Sequence, residues 1–101
     1  MSEPDPEFDA LHPSGHVLFR SSRGGYLHSV ALSDGAAGAD AAALARAVLR
    51  AAEVSHLKAV MQIRREIIDA GFSPSAELPT PADLTRAEAE LSDHRLAADD
   101  A

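Results

Sequence analysis

The alternation of apolar and polar residues predicts a β-strand early in the chain. Within residues 16–21, Val17 and Phe19 fall on one face and the residues between them fall on the other. A period of two is typical of a strand. Gly24 and Gly25 come next, and this pair favours a tight hairpin turn because glycine adopts a positive φ at little cost.

Residues 26–32 then form the returning strand of a predicted antiparallel hairpin. Val30 and Leu32 share one of its faces, but Leu27 is out of phase with them. An extra residue in one strand brings such out-of-phase side chains back to the same face, so a bulge is expected near His28 and Ser29.

The pattern changes to a helical period after a loop. Asp40 is well placed as a helix N-cap, and residues 41–69 contain no Gly or Pro. A helix of this length spans roughly 45 Å at 1.5 Å per residue. Gly71 is the expected residue after its C-cap, with Phe72 folding back as the hydrophobic contact.

The apolar positions of this long helix divide into two stripes. The first is narrow and suited to packing on the hairpin, and it contains Leu44, Val48, Ala51 and Ala52. The second is wider than one hairpin can cover, which predicts core packing or a dimer or partner interface, with a recognition groove for another protein as the less favoured alternative. Its members are Val54, Leu57, Val60, Met61, Ile63, Ile67 and Ile68.

A second helix is predicted near the end of the chain. Residues 73–79 form a Pro-containing linker, and Thr80 caps the helix with Pro81 at its first position and Asp83 at its third. We expect this C-terminal helix over residues 80–97.

Composition and charge define the rest of the organisation. We expect a disordered acidic lead over residues 1–12, a hairpin plus long helix over 13–72, and an acidic tail over 98–101. The net charge of −7 divides into −4 for residues 1–11, +2 for residues 12–72 and −5 for the remainder. Acidic ends disfavour binding to a phosphate backbone, so nucleic acid is a disfavoured partner.

The 101-residue length fits one domain and argues against a large catalytic fold. Alanine supplies 21 of the 46 hydrophobic residues, so the core is thin and a partner chain is expected. Without cysteine, thiolate chemistry is absent. With neither a signal peptide nor a run of roughly 20 apolar residues, we expect a cytoplasmic chain that does not insert into membranes.

Candidate chemistry is sparse. His16 and His28 lie on adjacent predicted strands with His12 nearby, but this spacing lacks a metal-binding pattern. No nucleophile elbow or phosphate-binding loop occurs, so we expect no enzyme, no catalytic residue, no cofactor and no metal. The basic residues of the long helix favour a solvated face, because a groove-binding helix needs a denser basic face. The alternative is contact with an anionic partner through four arginines: Arg46, Arg50, Arg64 and Arg65.

The order of elements resembles the YbaB-like fold, and within it the chain is similar to the EspD/EspH-type proteins associated with mycobacterial type VII secretion. The resemblance covers about residues 13–91. It rests on Pro13-x-Gly15-x-Val17-x-Phe19, Gly25-x-Leu27-x-x-Val30-x-Leu32-Ser33-Asp34, Asp40-x-x-x-Leu44-Ala45, Lys58-Ala59, Leu78-Pro79-Thr80-Pro81 and Ala87-Glu88-Ala89-Glu90. Eight arginines against one lysine also fit a GC-rich, actinobacterium-like genome.

Together these features predict an α+β, YbaB-like fold that dimerises, in which an antiparallel hairpin precedes a long helix and a short C-terminal helix. The resemblance implies a non-enzymatic interaction protein, an accessory or chaperone-like factor for a type VII secretion substrate or component. The only tyrosine, Tyr26, lies in a predicted strand, so no Tyr-x-x-x-Asp/Glu export signal is seen. The alternative is a nucleoid-associated DNA-binding protein.

Overall fold

The computed structural model describes residues 6–96 and confirms the α+β class. A three-stranded antiparallel sheet is followed by a long helix and a short one. The strands are β1 (Ala10–Leu11), β2 (Val17–Ser22) and β3 (Tyr26–Leu32), in that spatial order. The helices are α1 (Ala41–Asp69) and α2 (Pro81–Asp93), and short 3₁₀ turns occupy Pro6–Phe8 and Asp34–Gly38.

The predicted hairpin and its bulge are both confirmed. Gly24 and Gly25 carry the turn with φ values of +90° and +83°. Arg20 pairs with Ser29 but the next β2 residue pairs with Leu27, so His28 is the extra residue of β3. The bulge shifts the phase of the strand at the position where the apolar pattern breaks.

The prediction of a disordered lead over residues 1–12 is wrong for residues 6–12; residues 1–5 lie outside the described part. Phe8 and Ala10 are buried, and β1 pairs with β2. The Asp9 carboxylate accepts a hydrogen bond from Arg20 Nε (3.1 Å), and the Asp9 carbonyl accepts one from Lys58 Nζ (2.8 Å). Asp9 therefore has hydrogen-bond partners on β2 and α1, and its two neighbours Phe8 and Ala10 are buried in the core.

Helix α1 has the predicted bounds and caps. The Asp40 carboxylate accepts the Ala43 N–H at 3.1 Å. At the other end Gly71 has a φ of +92°, and the Phe72 N–H donates to the Ile67 carbonyl at 3.0 Å, as in a Schellman motif. The expected packing of the Phe72 ring onto the helix is wrong, because this side chain is 72% exposed.

Helix α2 begins as predicted and ends earlier. Thr80 and Asp83 form a capping box with Pro81 at the first turn. The helix stops at Asp93, and His94 is its C-cap in an extended conformation. Residues 94–96 therefore form a short non-helical segment, and residues 97–101 lie outside the described part.

The core lies where α1 crosses β2 and β1. Val17 and Phe19 from the sheet meet Ala47, Ala51 and other buried residues of α1, whose small side chains bring helix and sheet close together. Helix α2 adds Ala87 and Leu91, and Leu96 packs in from the segment beyond it; Leu44, Val48 and Ala52 are partly buried against the same cluster. In the described part of the chain, no helix is long and apolar enough to cross a membrane.

Candidate functional site

The most accessible apolar feature of the sheet is its edge strand, β3. In an antiparallel sheet, directly paired residues share a face. Leu32 pairs with Val17 and Val30 pairs with Phe19, so both leucine and valine lie on the face that carries α1. The helix covers β2 much more than β3, and Leu32 and Val30 stay 51% and 38% exposed.

The backbone of β3 faces outward at the same residues. Ser33 N donates to His16 O (3.0 Å), so the peptide group of Ser33 faces β2. Backbone direction alternates along a strand, so Leu32 and Val30 turn their N–H and C=O groups away from β2. Unpaired backbone groups and exposed apolar side chains therefore coincide, and we call this feature the outer edge of β3.

The outer edge also lacks charge. Between Tyr26 and Leu32 there is no Asp, Glu, Lys, Arg or Pro, in a chain whose net charge is −7. Tyr26 is 72% exposed and Leu27 is 63% exposed. Edge strands usually carry charges, prolines or covering elements that prevent pairing with another chain. The bulge at His28 is the one such protective device on this strand.

The predicted interface on α1 is only partly accessible. Val54, Leu57, Val60 and Met61 are buried within the single chain, which corrects the expectation that one chain leaves them uncovered. The packing of α2 and the ordered residues before β2 supply contacts that the sequence reasoning did not count. The accessible remainder consists of Ile63, Ile67 and Ile68. Their role in a dimer stays a prediction.

The last turns of α1 contribute to an apolar groove beside α2. Met61, Ile68, Pro81 and Leu84 line it together with two arginines, and its volume is about 370 Å³. Ile68 is the most exposed member of the predicted interface at 55%. The groove and the outer edge of β3 are separate surfaces with different neighbours.

The four candidate arginines do not form one basic face. Arg50 donates to Glu90 (2.8 Å), and Arg64 donates to the Pro79 carbonyl (3.2 Å). Arg65 donates to Gln62 on its own helix, and Arg46 is exposed. The guanidinium groups of Arg50 and Arg64 hold α2 and its linker against α1. An anion bound at these two arginines would have to compete with those bonds, and contact with an anionic partner stays a prediction.

His16 and His28, the histidines predicted on the two hairpin strands, bond to different serines and not to each other. His16 Nδ1 is 2.5 Å from Ser33 Oγ, and His28 Nδ1 is 3.1 Å from Ser29 Oγ. Over residues 6–96, no group of three or more His, Cys, Asp or Glu side chains could hold a metal ion. The close approach of His12, His16 and His28 considered from the sequence therefore does not occur as a ligand set.

Instead, His12 meets a histidine from the far end of the chain. His12 Nε2 lies 3.0 Å from His94 Nδ1, and the two rings are edge to face with centroids 5.2 Å apart. His12 is 1% exposed, among the most buried large side chains described. On its other side His12 Nδ1 accepts the Ser14 N–H at 3.1 Å.

Both rings have a lowered pKa. Burial is the main cause for His12, and the charges of His94, Arg95 and His16 add to it. Burial is also the main cause for His94, followed by Arg50 and Arg46. The pair is therefore held neutral near pH 7.

A shallow groove of about 420 Å³ opens beside the pair. His16 and His94 line it with Pro13, Ser14, Gly35, Gly38, Ala39, Arg95 and Leu96. The His16 ring lies so close to Gly35 that a Cβ there would sit 2.2 Å from a ring carbon. The sequence reasoning missed this site, since residues 82 positions apart give no local signal.

Comparison with known proteins places the chain in a family. Residues 1–97 match the family described as "Protein of unknown function (DUF2694)", and the chain belongs to that family. It is 52% identical over 96 residues to an uncharacterized protein of Mycobacterium bovis and to one of Mycobacterium tuberculosis, with 95% of each chain covered. No solved structure matches the chain.

Proposed function

We propose that this member of the DUF2694 family is a non-enzymatic interaction protein that binds an extended segment of a partner along the outer edge of β3. The observation that carries the proposal is the coincidence of unpaired backbone and exposed apolar side chains at Val30 and Leu32. An added strand satisfies the backbone groups, and alternate side chains of that strand cover the apolar face.

The physiological role follows from the resemblance. We propose an accessory or chaperone-like factor linked to type VII secretion, whose partner is a secretion substrate or component. The support is the EspD/EspH-like pattern over residues 13–91 and the mycobacterial origin of two similar proteins. The YbaB-like assignment belongs to the same proposal and rests on the hairpin followed by a long helix. Cytoplasmic location is likewise proposed.

A homodimer is part of this proposal. The accessible surfaces for it are the outer edge of β3 and the three isoleucines Ile63, Ile67 and Ile68. Two copies of a chain with a net charge of −7 repel each other least where an uncharged strand faces its own copy. Sedimentation of the full chain should then give about twice the monomer mass of 10.6 kDa.

The edge is tested by a charged substitution on one face of β3. Val30→Lys places an ammonium on the apolar face, whereas the matched control Ala31→Lys places it on the opposite face of the same strand. A photo-crosslinking residue at position 27, with mass spectrometry of the product in a mycobacterial host, identifies the partner. We expect Val30→Lys to abolish the cross-linked product and Ala31→Lys to retain it.

Equal cross-linking in both variants would exclude the outer edge of β3. For the dimer, Ile68→Asp separates the two surfaces, because Ile68 lies on α1 and is exposed. Loss of the dimer with Ile68→Asp but not with Val30→Lys would place the dimer contact on α1. A strict monomer of the unsubstituted chain would end the dimer proposal.

DNA binding remains the alternative, as the YbaB-like resemblance implies. The exposed guanidinium of Arg46 favours it, and a dimer would double the number of such groups. The ion pair of Arg50 with Glu90 and the acidic ends oppose it. A gel-shift assay over a salt series decides, because binding driven by phosphate contacts is strongest at low salt. The absence of a shift at low salt would exclude this alternative.

A further inference from the structure

The contact between His12 and His94 joins two parts of the chain that are far apart in sequence. His12 follows β1, and His94 caps the C-terminal end of α2. We propose that this histidine pair is an acid-sensitive latch, which holds residues 94–96 against the sheet when neutral and releases them when protonated.

The hydrogen bonds fix where the protons lie in the closed latch. His12 Nδ1 lies 3.1 Å from the Ser14 backbone N and 2.8 Å from Ser14 Oγ. The backbone N–H can only donate, whereas the hydroxyl can also donate, so we assign His12 Nδ1 as the acceptor of both Ser14 groups. Neutral His12 therefore carries its proton on Nε2 and donates it to His94 Nδ1. His94 in turn carries its own proton on Nε2. Each ring has one defined tautomer, and every nitrogen at the contact has a single role.

A second proton between the two rings has no acceptor. A proton on His94 Nδ1 would face the N–H of His12 Nε2 across 3.0 Å, which replaces a hydrogen bond with two opposed donors. A proton on His12 Nδ1 would oppose the Ser14 N–H at 3.1 Å and have the Ser14 hydroxyl, 2.8 Å away, as its acceptor. The charge on His12 would then lie where water cannot reach it, because that side chain is 1% exposed.

The surrounding charges act in the same direction. His12 faces His94, Arg95 and His16, whereas Arg50 and Arg46 of α1 face His94. Among the groups of residues 6–96 that shift these two rings, none is a carboxylate; Glu90, on α2, is paired with Arg50.

The carbonyl end of α2 opposes this effect, because a helix C-terminus favours a cation. Asp93 precedes His94 in the chain and carries a negative charge that also favours one. Burial and the two arginines outweigh both, since the pKa of His94 is lowered.

Leu96 is what the latch holds in place. It is buried in the cluster that contains Ala10, Val17 and Leu91, two residues beyond the histidine contact. The segment is not helical, and the histidine contact and the buried Leu96 side chain are two of the contacts that hold it against the sheet. Release would expose Leu96 and open the groove lined by His16 and Pro13.

The test follows the Leu96 methyl groups of the full chain by NMR between pH 7.5 and pH 5.0. Both folded-state pKa values lie below the unperturbed value near 6.5, so closure is complete above pH 6.5 and is lost as the pH falls below it. The released fraction should rise about tenfold per pH unit for every proton bound on release. Phe19, in the same core, reports on global unfolding.

Variants separate the latch from general acid effects. His12→Gln/His94→Gln removes both titrating rings and should make the Leu96 signal independent of pH. If that variant does not fold, His94→Gln alone should reduce the steepness of the transition. His28→Gln, at the exposed bulge of β3, is the matched control and should leave the transition unchanged.

Four results would overturn the proposal. One is a Leu96 signal that stays at its folded position down to pH 5.0. Another is a transition that keeps its steepness in His94→Gln, and a third is a transition in which Leu96 and Phe19 change together. The fourth is an Nδ1-protonated His12 at pH 7.5, read from the ¹⁵N shifts of its ring.

Discussion

The hydroxyl of Ser21 on β2 meets the hydroxyl of Ser55 on α1 in the contact between sheet and helix, with the two oxygens 2.5 Å apart. Both side chains are completely buried. This is a polar pair inside an otherwise apolar interface, and each hydroxyl depends on the other as its partner. The contact fixes the position of α1 along β2.

Removing both hydroxyls should cost less than the sum of the costs of removing each one alone. Ser55→Ala leaves the Ser21 hydroxyl buried without its partner, which should lower the free energy of unfolding by about 1–3 kcal/mol. Adding Ser21→Ala removes the orphaned group, so the double variant should lose less than the sum of the two single losses. Urea unfolding measures all three, with Ser92→Ala on the exposed face of α2 as the control. Additive losses would contradict the coupling.

Small residues on α1 set how closely the helix approaches the sheet. Ala47 and Ala51 are fully buried against β2. Ala51→Leu should lower the free energy of unfolding by about 1–3 kcal/mol, because the larger side chain forces the helix away from the strand. The control Ala45→Leu adds the same side chain at an exposed position and should be nearly neutral. Similar thermal midpoints for the two variants would refute close packing at Ala51.

The capping box of α2 should make this helix sensitive to acid. The Asp83 carboxylate accepts the Thr80 N–H at 2.8 Å, and this bond lowers the pKa of Asp83. A lowered carboxyl pKa adds stability above the unperturbed value near 3.8, and that stability is lost as the pH falls through the folded-state pKa. Helicity measured by circular dichroism should therefore fall at more acidic pH.

Thr80→Ala tests the same cap at neutral pH. It removes the side chain that accepts the Asp83 N–H, and the expected loss is about 1 kcal/mol of unfolding free energy. Thr85→Ala lies inside α2 and should be close to neutral, because alanine is the better helix former. A larger loss from the interior substitution than from the cap would count against the capping box.

Much of the fold follows from local signals. Asp40 before an uninterrupted run of helix formers, and Thr80-Pro81 with Asp83, each define a helix start within a few residues. The bulge is visible because Leu27 breaks the phase of Val30 and Leu32. Strand β1 gives no such signal, since two residues cannot display a period and the acids around them indicate disorder.

The candidate sites depend on contacts that no local pattern contains. The alternation of apolar and polar residues places Val30 and Leu32 on one face of β3, but it does not show which strand of the sheet α1 covers. The burial of Val60 and Met61 depends on how the rest of the chain packs against α1, so their stripe looked uncovered in the sequence. The His12–His94 contact joins residues 82 positions apart and arises only when α2 packs beside β1.

The C-terminal end of α1 gives a last prediction, based on two glycines with different backbones. Gly71 has a φ of +92° in open space, so a side chain there meets no atom but forces a left-handed conformation. Gly71→Ala should therefore lower the free energy of unfolding by about 1–2 kcal/mol. Gly38 also lies in open space but has no such φ, and Gly38→Ala should be neutral or stabilise the chain by about 0.4–1 kcal/mol. Urea unfolding measures both changes in the free energy of unfolding. A loss for Gly71→Ala without a loss for Gly38→Ala would show that the positive φ at Gly71 causes the loss. Equal changes in the two variants would rule out the Schellman cap as the cause.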